Sequence, residues 1–148
     1  MSAKSFVDTS ILLYAHDSSS DKHELAKQLV TDLWNTQTGV ISTQVLQEFS
    51  VAIRRANPDL SVVQAAILVQ NFSGWQVVAN NADSIVRALR IETRHKISFW
   101  DALIIEAAQT AGAEILYSEN LDDGQLYGSV RVVNPFQKQK ALSQTAGR

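Results

Sequence analysis

The hydrophobic residues of this chain fall into short apolar runs separated by longer stretches in which they recur at helical spacing. The short runs predict β-strands at residues 4–7, 40–42, 76–78, 115–117 and 129–133. The longer stretches predict α-helices at residues 21–35, 43–55, 82–94 and 99–111 and after Ser61. Strands that alternate with helices are typical of a mostly parallel sheet with helices on both faces, so we predict an α/β fold.

Glycine, proline and capping residues mark the ends of these predicted helices. Gly39 is expected to close the first long helix, and Asn57-Pro58 ends the second because proline cannot continue a helix. Ser61 is a typical N-cap for the helix that follows it. Binding sites in such sheets lie beyond the carboxyl ends of the strands, so the residues that follow each strand are the candidates for chemistry.

The size and composition of the chain restrict the class of protein. Its 148 residues suit one domain, which we place at residues 1–136, followed by a polar tail at residues 137–148. The absence of cysteine excludes disulfides, thiolate zinc sites and thiol nucleophiles. No apolar run is long enough to span a membrane and no signal-peptide pattern precedes Phe6, so we expect a cytoplasmic protein without membrane association.

Two aspartates occur where apolar segments meet polar ones. Asp8 follows the first predicted strand, and Asp101 lies in the first turn of the last predicted helix. Both have a purely structural interpretation, because Asp is a common N-cap and the spacing of Asp101 from Ser98 fits a capping box. Asp101, however, shares a helical face with Ile104 and Ile105, which directs it toward the core, where a carboxylate without a partner is costly.

Further acidic residues are Glu48 on the second long helix and Glu119 and Asp122 after the strand at residues 115–117. Glu48 lies at the edge of an apolar stripe, and a solvated surface position is its alternative interpretation. For Glu119 and Asp122 the alternative is an acidic loop with a glycine turn. None of these acids is specific alone, and their combined placement at strand ends and on facing helices is what favours a site.

Carboxylates held close together repel one another, and a bound cation removes that repulsion. Oxygen ligands without cysteine favour Mg²⁺ or Mn²⁺ over zinc. One or two such ions activate water for attack on a phosphodiester and neutralise the departing oxygen, so the acids predict phosphodiester hydrolysis. A phosphatase with Asp8 as its nucleophile is less consistent with the sequence, because Ser10 stands where a second Asp is expected.

Several motifs of the chain resemble the PIN-domain family and, within it, the VapC-type toxins of bacterial toxin–antitoxin pairs. They are Phe6-Val7-Asp8-Thr9-Ser10, Gln47-Glu48-Phe49, Ser98-Phe99-Trp100-Asp101-Ala102, the segment from Ile115 to Leu121, and Val133-Asn134-Pro135-Phe136. The resemblance covers nearly the whole chain. It implies a PIN-like three-layer sandwich whose mostly parallel central sheet is flanked by helices.

The resemblance also implies a function and a set of site residues. It implies a Mg²⁺-dependent endoribonuclease that acts on RNA as a toxin, forms a homodimer and is inhibited by a cognate antitoxin. By position, the catalytic, metal-binding acids would be Asp8, Glu48 and Asp101. The supporting hydroxyl groups would be those of Thr9, Ser10 and Ser118.

The fourth acid of this pattern is replaced in the chain. Asn120 stands where this branch of the family usually has Asp, and its amide oxygen can contact a hard cation or a bound water but carries no charge. We therefore expect Asp122 or Glu119 to act as an outer, water-mediated metal contact, and we count Asp122 among the catalytic acids. Without such a contact, a second ion would need substrate phosphate to complete its coordination.

Residues that contact substrate or partners are less clearly indicated. Arg54 and Arg55 lie on the helix of Glu48 and are candidates for contact with phosphate or antitoxin, with stabilisation of the helix dipole as the alternative. We predict that Trp100 is buried in the core, and no arrangement of aromatic residues resembles an RNA-binding surface. The isolated histidines are expected at the surface or at an interface; they are His16, His23 and His95.

Two other functions remain open from the sequence. A DNA or structure-specific nuclease of the same fold would use the same acids, and only its substrate preference separates it from a ribonuclease. A catalytically weak binding protein would use the carboxylates as helix caps, in which case Mg²⁺ would neither bind nor stabilise the fold.

Overall fold

The computed structural model describes residues 3–137 and shows a six-stranded sheet flanked by helices. The strands are β1 (Ser5–Val7), β2 (Gly39–Ser42), β3 (Gln76–Val78), β4 (Ile115–Tyr117), β5 (Leu126–Tyr127) and β6 (Val130–Val133). The helices are α1 (Thr9–Tyr14), α2 (His23–Thr36), α3 (Thr43–Ala56), α4 (Val62–Phe72), α5 (Ala82–His95) and α6 (Phe99–Thr110). All of the predicted tail except Gln137 lies outside the described residues, so the tail stays a prediction.

The sheet is parallel in all of its described pairings except one. The strand order is β3-β2-β1-β4-β6-β5, and β5 pairs antiparallel with β6. Strand β1 is central and pairs with β2 on one side and β4 on the other. The chain therefore builds β1, β2 and β3 outward in one direction and then crosses to the other side of β1. The predicted α/β fold with a mostly parallel sheet is confirmed.

Side-chain caps start most of the helices directly at the end of a strand or loop. In each case a side-chain oxygen accepts a hydrogen bond from a backbone amide in the first turn, and the capping residues are Asp8, Ser42, Ser61, Asn81 and Ser98. The predicted cap at Ser61 is confirmed, and Gln64 completes a capping box there. These caps fix where each helix begins relative to the sheet edge.

Two features of the backbone differ from the sequence prediction. Strand β5 has two residues, too few to show an alternating pattern, and is absent from the prediction. Gly39 does not close α2 as predicted, because Gln37 caps this helix in a left-handed conformation with φ of 59° and Gly39 opens β2. Glutamine is uncommon in this conformation, whereas glycine adopts it freely, so the sequence favoured the wrong residue.

The core lies between the sheet and the helices on its two faces. Its largest fully buried apolar side chains are Phe6, Ile11, Leu12, Ile41, Phe49, Ile105 and Leu116. They come from strands β1, β2 and β4 and from helices α1, α3 and α6, so the core holds the elements that carry the candidate site. Within residues 3–137, the helices are too short or too polar to cross a membrane.

Gly39 packs so closely against an indole ring that any side chain there is expected to destabilise the fold. A Cβ at this position would lie 2.6 Å from Cε3 of Trp75, whose ring is buried and packed edge-on against Trp34 and Phe72. Gly39→Ala is expected to lower the free energy of unfolding by about 1–3 kcal/mol, measured by chemical denaturation. Combining it with Trp75→Leu should recover part of this loss, and strictly additive losses would contradict the clash.

Candidate active site

The carboxyl ends of the central strands bring predicted site residues to one edge of the sheet. Asp8 directly follows β1, and Ser118 directly follows the adjacent strand β4. The chain leaves β1 toward β2 and later returns to β4 on the opposite side, so Asp8 lies where the strand order reverses. In open α/β sheets this reversal creates the crevice in which ligands bind.

Asp8 is a buried carboxylate with only 5% of its surface exposed. One of its oxygens accepts a hydrogen bond from the Thr9 amide at 2.7 Å, and the other accepts one from the Ser118 hydroxyl at 3.0 Å. Burial raises the pKa of Asp8 to about 6, against the effect of these two hydrogen bonds, and the negative charges of Glu48 and Asp101 raise it further. Asp8 is therefore a helix cap whose surroundings disfavour its own charge.

Glu48 is linked to Asp8 and to α6 by two polar side chains. The Thr9 hydroxyl donates to Oε2 of Glu48 at 3.3 Å, so Thr9 contacts both Asp8 and Glu48. The Gln44 amide donates to Oε1 of Glu48 at 2.7 Å and to the carbonyl oxygen of Trp100 at 3.3 Å. Glu48 is exposed, in agreement with its alternative interpretation as a surface residue. These contacts nevertheless set the orientation of its side chain.

Asp101 lies in the first turn of α6 and is half-buried. The hydroxyl of Ser98 accepts a hydrogen bond from the backbone amide of Asp101 at 3.1 Å, so the cap of this helix uses the amide and not the carboxylate. The carboxylate acts electrostatically on Asp8, since it contributes to raising the Asp8 pKa. The structure therefore places two predicted acids, Glu48 and Asp101, within electrostatic reach of a third, Asp8.

The loop after β4 holds Glu119 away from a metal-ligand role. Its carboxylate accepts a hydrogen bond from the Tyr14 hydroxyl at 2.5 Å and forms an ion pair with Lys22 at 2.7 Å. Both Glu119 oxygens are thus directed toward Tyr14 and Lys22. Asn120 is exposed, and its backbone N–H donates to the Ser118 hydroxyl at 3.2 Å, which ties this loop to the hydroxyl that contacts Asp8.

Asp122 is exposed, and like Asp101 it acts electrostatically on Tyr127. Both carboxylates act on the buried Tyr127, whose pKa is raised first by burial and then by the charges of Asp122 and Asp101. Asp122 therefore remains the better placed of the two predicted outer contacts, and its role stays a prediction.

Asp8, Glu48 and Asp101 offer carboxylate oxygens, the ligand type that a hard divalent cation prefers. The hydroxyl of Ser10 and the amide oxygen of Gln44 are buried and lack a hydrogen-bond partner among the described residues. Within residues 3–137, no three carboxylate or imidazole groups are arranged as a complete metal site. Mg²⁺ commonly binds through one or two carboxylates together with water and substrate phosphate, which such an open arrangement allows.

The two predicted arginines differ in their surroundings. Arg54 donates from Nε to the carbonyl oxygen of Ser50 at 2.8 Å, which folds its guanidinium back along α3. Arg55 lines an open groove on the outer face of α3 together with Glu48 and Val51. Arg55 is therefore the better placed of the two to meet a phosphate that lies near Glu48.

The histidines lie at or near the surface, as the sequence predicts. His16 and His95 are exposed, and His23 is half-buried. His16 donates from Nδ1 to the Leu12 carbonyl oxygen at 2.8 Å, and its ring packs against Phe49.

The sequence prediction for Trp100 is wrong, and three contact residues are missing from it. Trp100 is 64% exposed, because the buried face of α6 begins at Ala102 and the first turn leaves residue 100 on the outer side. Sequence analysis did not identify Gln44, Lys22 or Tyr14. Gln44 is four residues before Glu48, and this spacing places both on one face of the helix. The spacing alone could therefore have predicted a contact between them.

Comparison with known proteins identifies the family of the chain. A model of the PIN domain matches residues 5–125. The crystal structure of VapC20 from Mycobacterium tuberculosis, a Sarcin-Ricin loop cleaving toxin, is 25% identical with a TM-score of 0.65, covering 86% of this chain and 99% of that one. No match was found among curated protein sequences.

Two further solved structures share the fold at lower identity. A toxin–antitoxin complex from Klebsiella pneumoniae is 23% identical with a TM-score of 0.67, covering 89% of this chain and 98% of that one. VapBC2 from Rickettsia felis, bound to a DNA fragment of its promoter, is 19% identical with a TM-score of 0.62, covering 86% of this chain and 96% of that one. With its central parallel sheet, its acids at the strand-order reversal and a family match over most of its length, the chain belongs to the PIN-domain family.

Proposed function

We propose that this protein is a Mg²⁺-dependent endoribonuclease and the toxin of a toxin–antitoxin pair. The observation that supports this most is the buried Asp8 carboxylate at the strand-order reversal, with Glu48 and Asp101 as further negative charges near it. Within the described residues, the ion pairs involve Glu119 and Glu106 and leave these three acids without a basic partner. The likeness to VapC20, a Sarcin-Ricin loop cleaving toxin, supports the same activity class.

The contacts of each site residue suggest its role. The ion would be held by Asp8, Glu48 and Asp101, and Mg²⁺ when bound would activate the attacking water and offset charge on the phosphodiester. Thr9 aligns two of these acids, because its amide contacts Asp8 and its hydroxyl contacts Glu48. Gln44 fixes Glu48 relative to the start of α6, which carries Asp101.

Ser118 and Asn120 support the carboxylate from the other side. The Ser118 hydroxyl donates to Asp8 and accepts from the backbone N–H of Asn120, so it connects Asp8 to the loop after β4. The Lys22 and Tyr14 contacts to Glu119 hold this loop against α1 and the segment before α2. We propose that Glu119 orients the loop, whereas Asp122 supplies the outer contact to the ion through water.

The substrate is proposed to pass along the outer face of α3. The groove that contains Glu48 also contains Arg55, which could bind a phosphate one step along the RNA from the cleaved bond. Arg54 is held against its own helix by the Ser50 carbonyl oxygen, so we assign it to contact with the antitoxin and not with the substrate.

A cognate antitoxin and a second copy of the chain are the proposed partners. The Klebsiella pneumoniae and Rickettsia felis structures are a toxin–antitoxin complex and a VapBC complex, respectively. In this chain, α4 exposes Val62, Val63 and Ile67 at 68%, 70% and 52%. These apolar side chains are available for a protein interface. Sedimentation that reports only monomer at all concentrations would remove the homodimer.

The direct test of the proposed activity is cleavage of total bacterial RNA by the purified protein, followed on a gel. Reactions contain Mg²⁺ or EDTA, and a parallel set contains single-stranded DNA. Discrete RNA fragments that require Mg²⁺ are expected. Cleavage of DNA with intact RNA would favour a DNA nuclease, and intact nucleic acid together with no stabilisation by Mg²⁺ would favour a binding protein.

Metal affinity distinguishes the two outer acids. Asp122→Asn is expected to weaken Mg²⁺ binding by about tenfold. This is the lower end of the loss of metal affinity seen when a residue that contacts the metal only through a ligand or a water is replaced. Glu119→Gln should leave Mg²⁺ affinity nearly unchanged, because both Glu119 oxygens already have partners. Calorimetric titration of the two variants measures this. Equal affinity in both variants and the wild type would remove Asp122 from the site.

A further inference from the structure

We propose that the exposed indole of Trp100 is a stacking position for an unpaired base of the RNA substrate. This inference deepens the proposed function and rests on it. Trp100 is 64% exposed, far more than Trp75 at 7% and Trp34 at 37%. A tryptophan side chain contributes most to binding when the flat face of its ring is buried. An indole that is exposed to water beside a reaction site is therefore a candidate for contact with substrate.

The ring of Trp100 is supported on one side and open elsewhere. Its described ring contact is with Phe99, with the ring centroids 5.2 Å apart and the planes at 71°. Phe99 in turn packs against a small buried cluster formed by Ala88, Ala102 and Leu103. Trp100 is a member of neither buried cluster of the described residues. The indole thus has Phe99 as its described aromatic neighbour and is not part of the core.

The position of Trp100 is at the rim of the acid site. Its carbonyl oxygen accepts a hydrogen bond from Gln44, and the same amide donates to Glu48. Asp101 is the next residue along the helix, and the Ser98 cap fixes the start of that helix. The backbone of Trp100 is thus tied to the helices that carry Glu48 and Asp101, which puts this residue beside the path of an RNA strand bound at the three acids.

The charges around Trp100 favour a base over a phosphate or an acidic peptide as the occupant. Asp101 is the neighbour of Trp100 in the chain, Glu48 is joined to the Trp100 carbonyl through Gln44, and neither acid forms an ion pair within residues 3–137. Phosphates would be repelled there except where a cation binds, whereas a base presents an uncharged flat face. Stacking on an aromatic side chain contributes about 1–3 kcal/mol per base and is tolerant of sequence.

Tryptophan fluorescence tests base stacking without requiring cleavage. The probe is poly(A), added to the protein in Mg²⁺ buffer. Poly(U), whose bases stack more weakly, is the comparison. Poly(A) is expected to quench the wild type more than poly(U) does. Trp100→Phe should lose most of this quench. Trp34→Phe is the matched control, because Trp34 is also exposed but packs against Phe72 and Trp75 in another cluster, and it should keep the quench.

Cleavage kinetics give the second readout. Trp100→Ala is expected to raise KM by about 5- to 150-fold, which is the stacking free energy converted into a ratio of affinities. The value of kcat should stay near that of the wild type, because the substrate and the transition state lose the same stacking contact. Trp100→Phe should recover part of the KM loss.

The possible outcomes separate the two proposals. If KM is unchanged in Trp100→Ala and poly(A) still quenches the fluorescence of Trp100→Phe, the stacking position is overturned and the proposed nuclease activity is unaffected. A loss of self-association in Trp100→Ala, with RNA binding unchanged, would also overturn it and assign the indole to a protein interface. A wild type that cleaves no RNA, but whose quench by poly(A) depends on Trp100, would overturn the nuclease and support the stacking position.

Discussion

Replacing Asp8 by asparagine is expected to reduce RNA cleavage by at least about 10³-fold, because loss of the central carboxylate removes several kcal/mol of charge stabilisation that the metal supplies. Asparagine keeps the shape of the side chain and is a good N-cap, so its carbonyl oxygen can still accept from the Thr9 amide. The variant should therefore fold, and the loss of activity can be read as a loss of chemistry. Initial rates of fragment formation from a mapped RNA target measure this.

A surface substitution of the same kind is the control for Asp8→Asn. Asp59 lies in the exposed turn between α3 and α4, and Asp59→Asn removes one negative charge without touching the sheet edge. It should cleave RNA at the wild-type rate. Retention of more than about a tenth of wild-type activity in Asp8→Asn would contradict the role of Asp8, since each factor of ten is only about 1.4 kcal/mol.

The parts of the fold that could be predicted are those fixed by neighbours in sequence. The cap at Ser61 and the strand at Ile115–Tyr117 follow from local rules of capping and apolar spacing. The C-cap at Gln37 could not be predicted in this way, because the chain adopts a conformation there that its local sequence does not favour.

The site could be predicted only as a list of acids. Its supporting contacts join residues that are far apart in sequence, such as Thr9 with Glu48 across 39 positions and Lys22 with Glu119 across 97. Trp100 was misplaced because α6 is apolar on nearly all sides, so its periodicity does not show which face is buried. The metal-binding roles of Asp8, Glu48 and Asp101 stay predictions.

The pH dependence of stability should show that Asp8 is unfavourably charged in the metal-free protein. Burial raises its pKa from an ordinary 3.8 to about 6, so between these values the folded state keeps a proton that the unfolded state has released. The folded state then binds more protons, and its stability falls as pH rises through this range. The pKa difference corresponds to about 3 kcal/mol lost by neutral pH.

Asp8→Asn isolates this contribution from those of the other carboxylates. The variant has no group to titrate at position 8, so its stability relative to the wild type should rise by about 2–3 kcal/mol between about pH 4 and pH 7. Chemical denaturation of both proteins in EDTA measures the difference. A difference that does not change with pH would show that the Asp8 pKa is not raised.

Mg²⁺ should reverse this penalty in the wild type alone. A cation that binds the folded state contributes about 2.7 kcal/mol at a hundred times its dissociation constant, and it does so more strongly at neutral pH, where Asp8 must be ionised to bind it. Asp8→Asn should gain little, and an equal ionic strength of K⁺ controls for screening of charge. The stability deficit of the wild type against the variant is thus expected to shrink nearly to zero when Mg²⁺ is added at neutral pH at this concentration. Equal stabilisation of both proteins by Mg²⁺ would place the bound ion away from Asp8 and would favour the interpretation of this carboxylate as a helix cap.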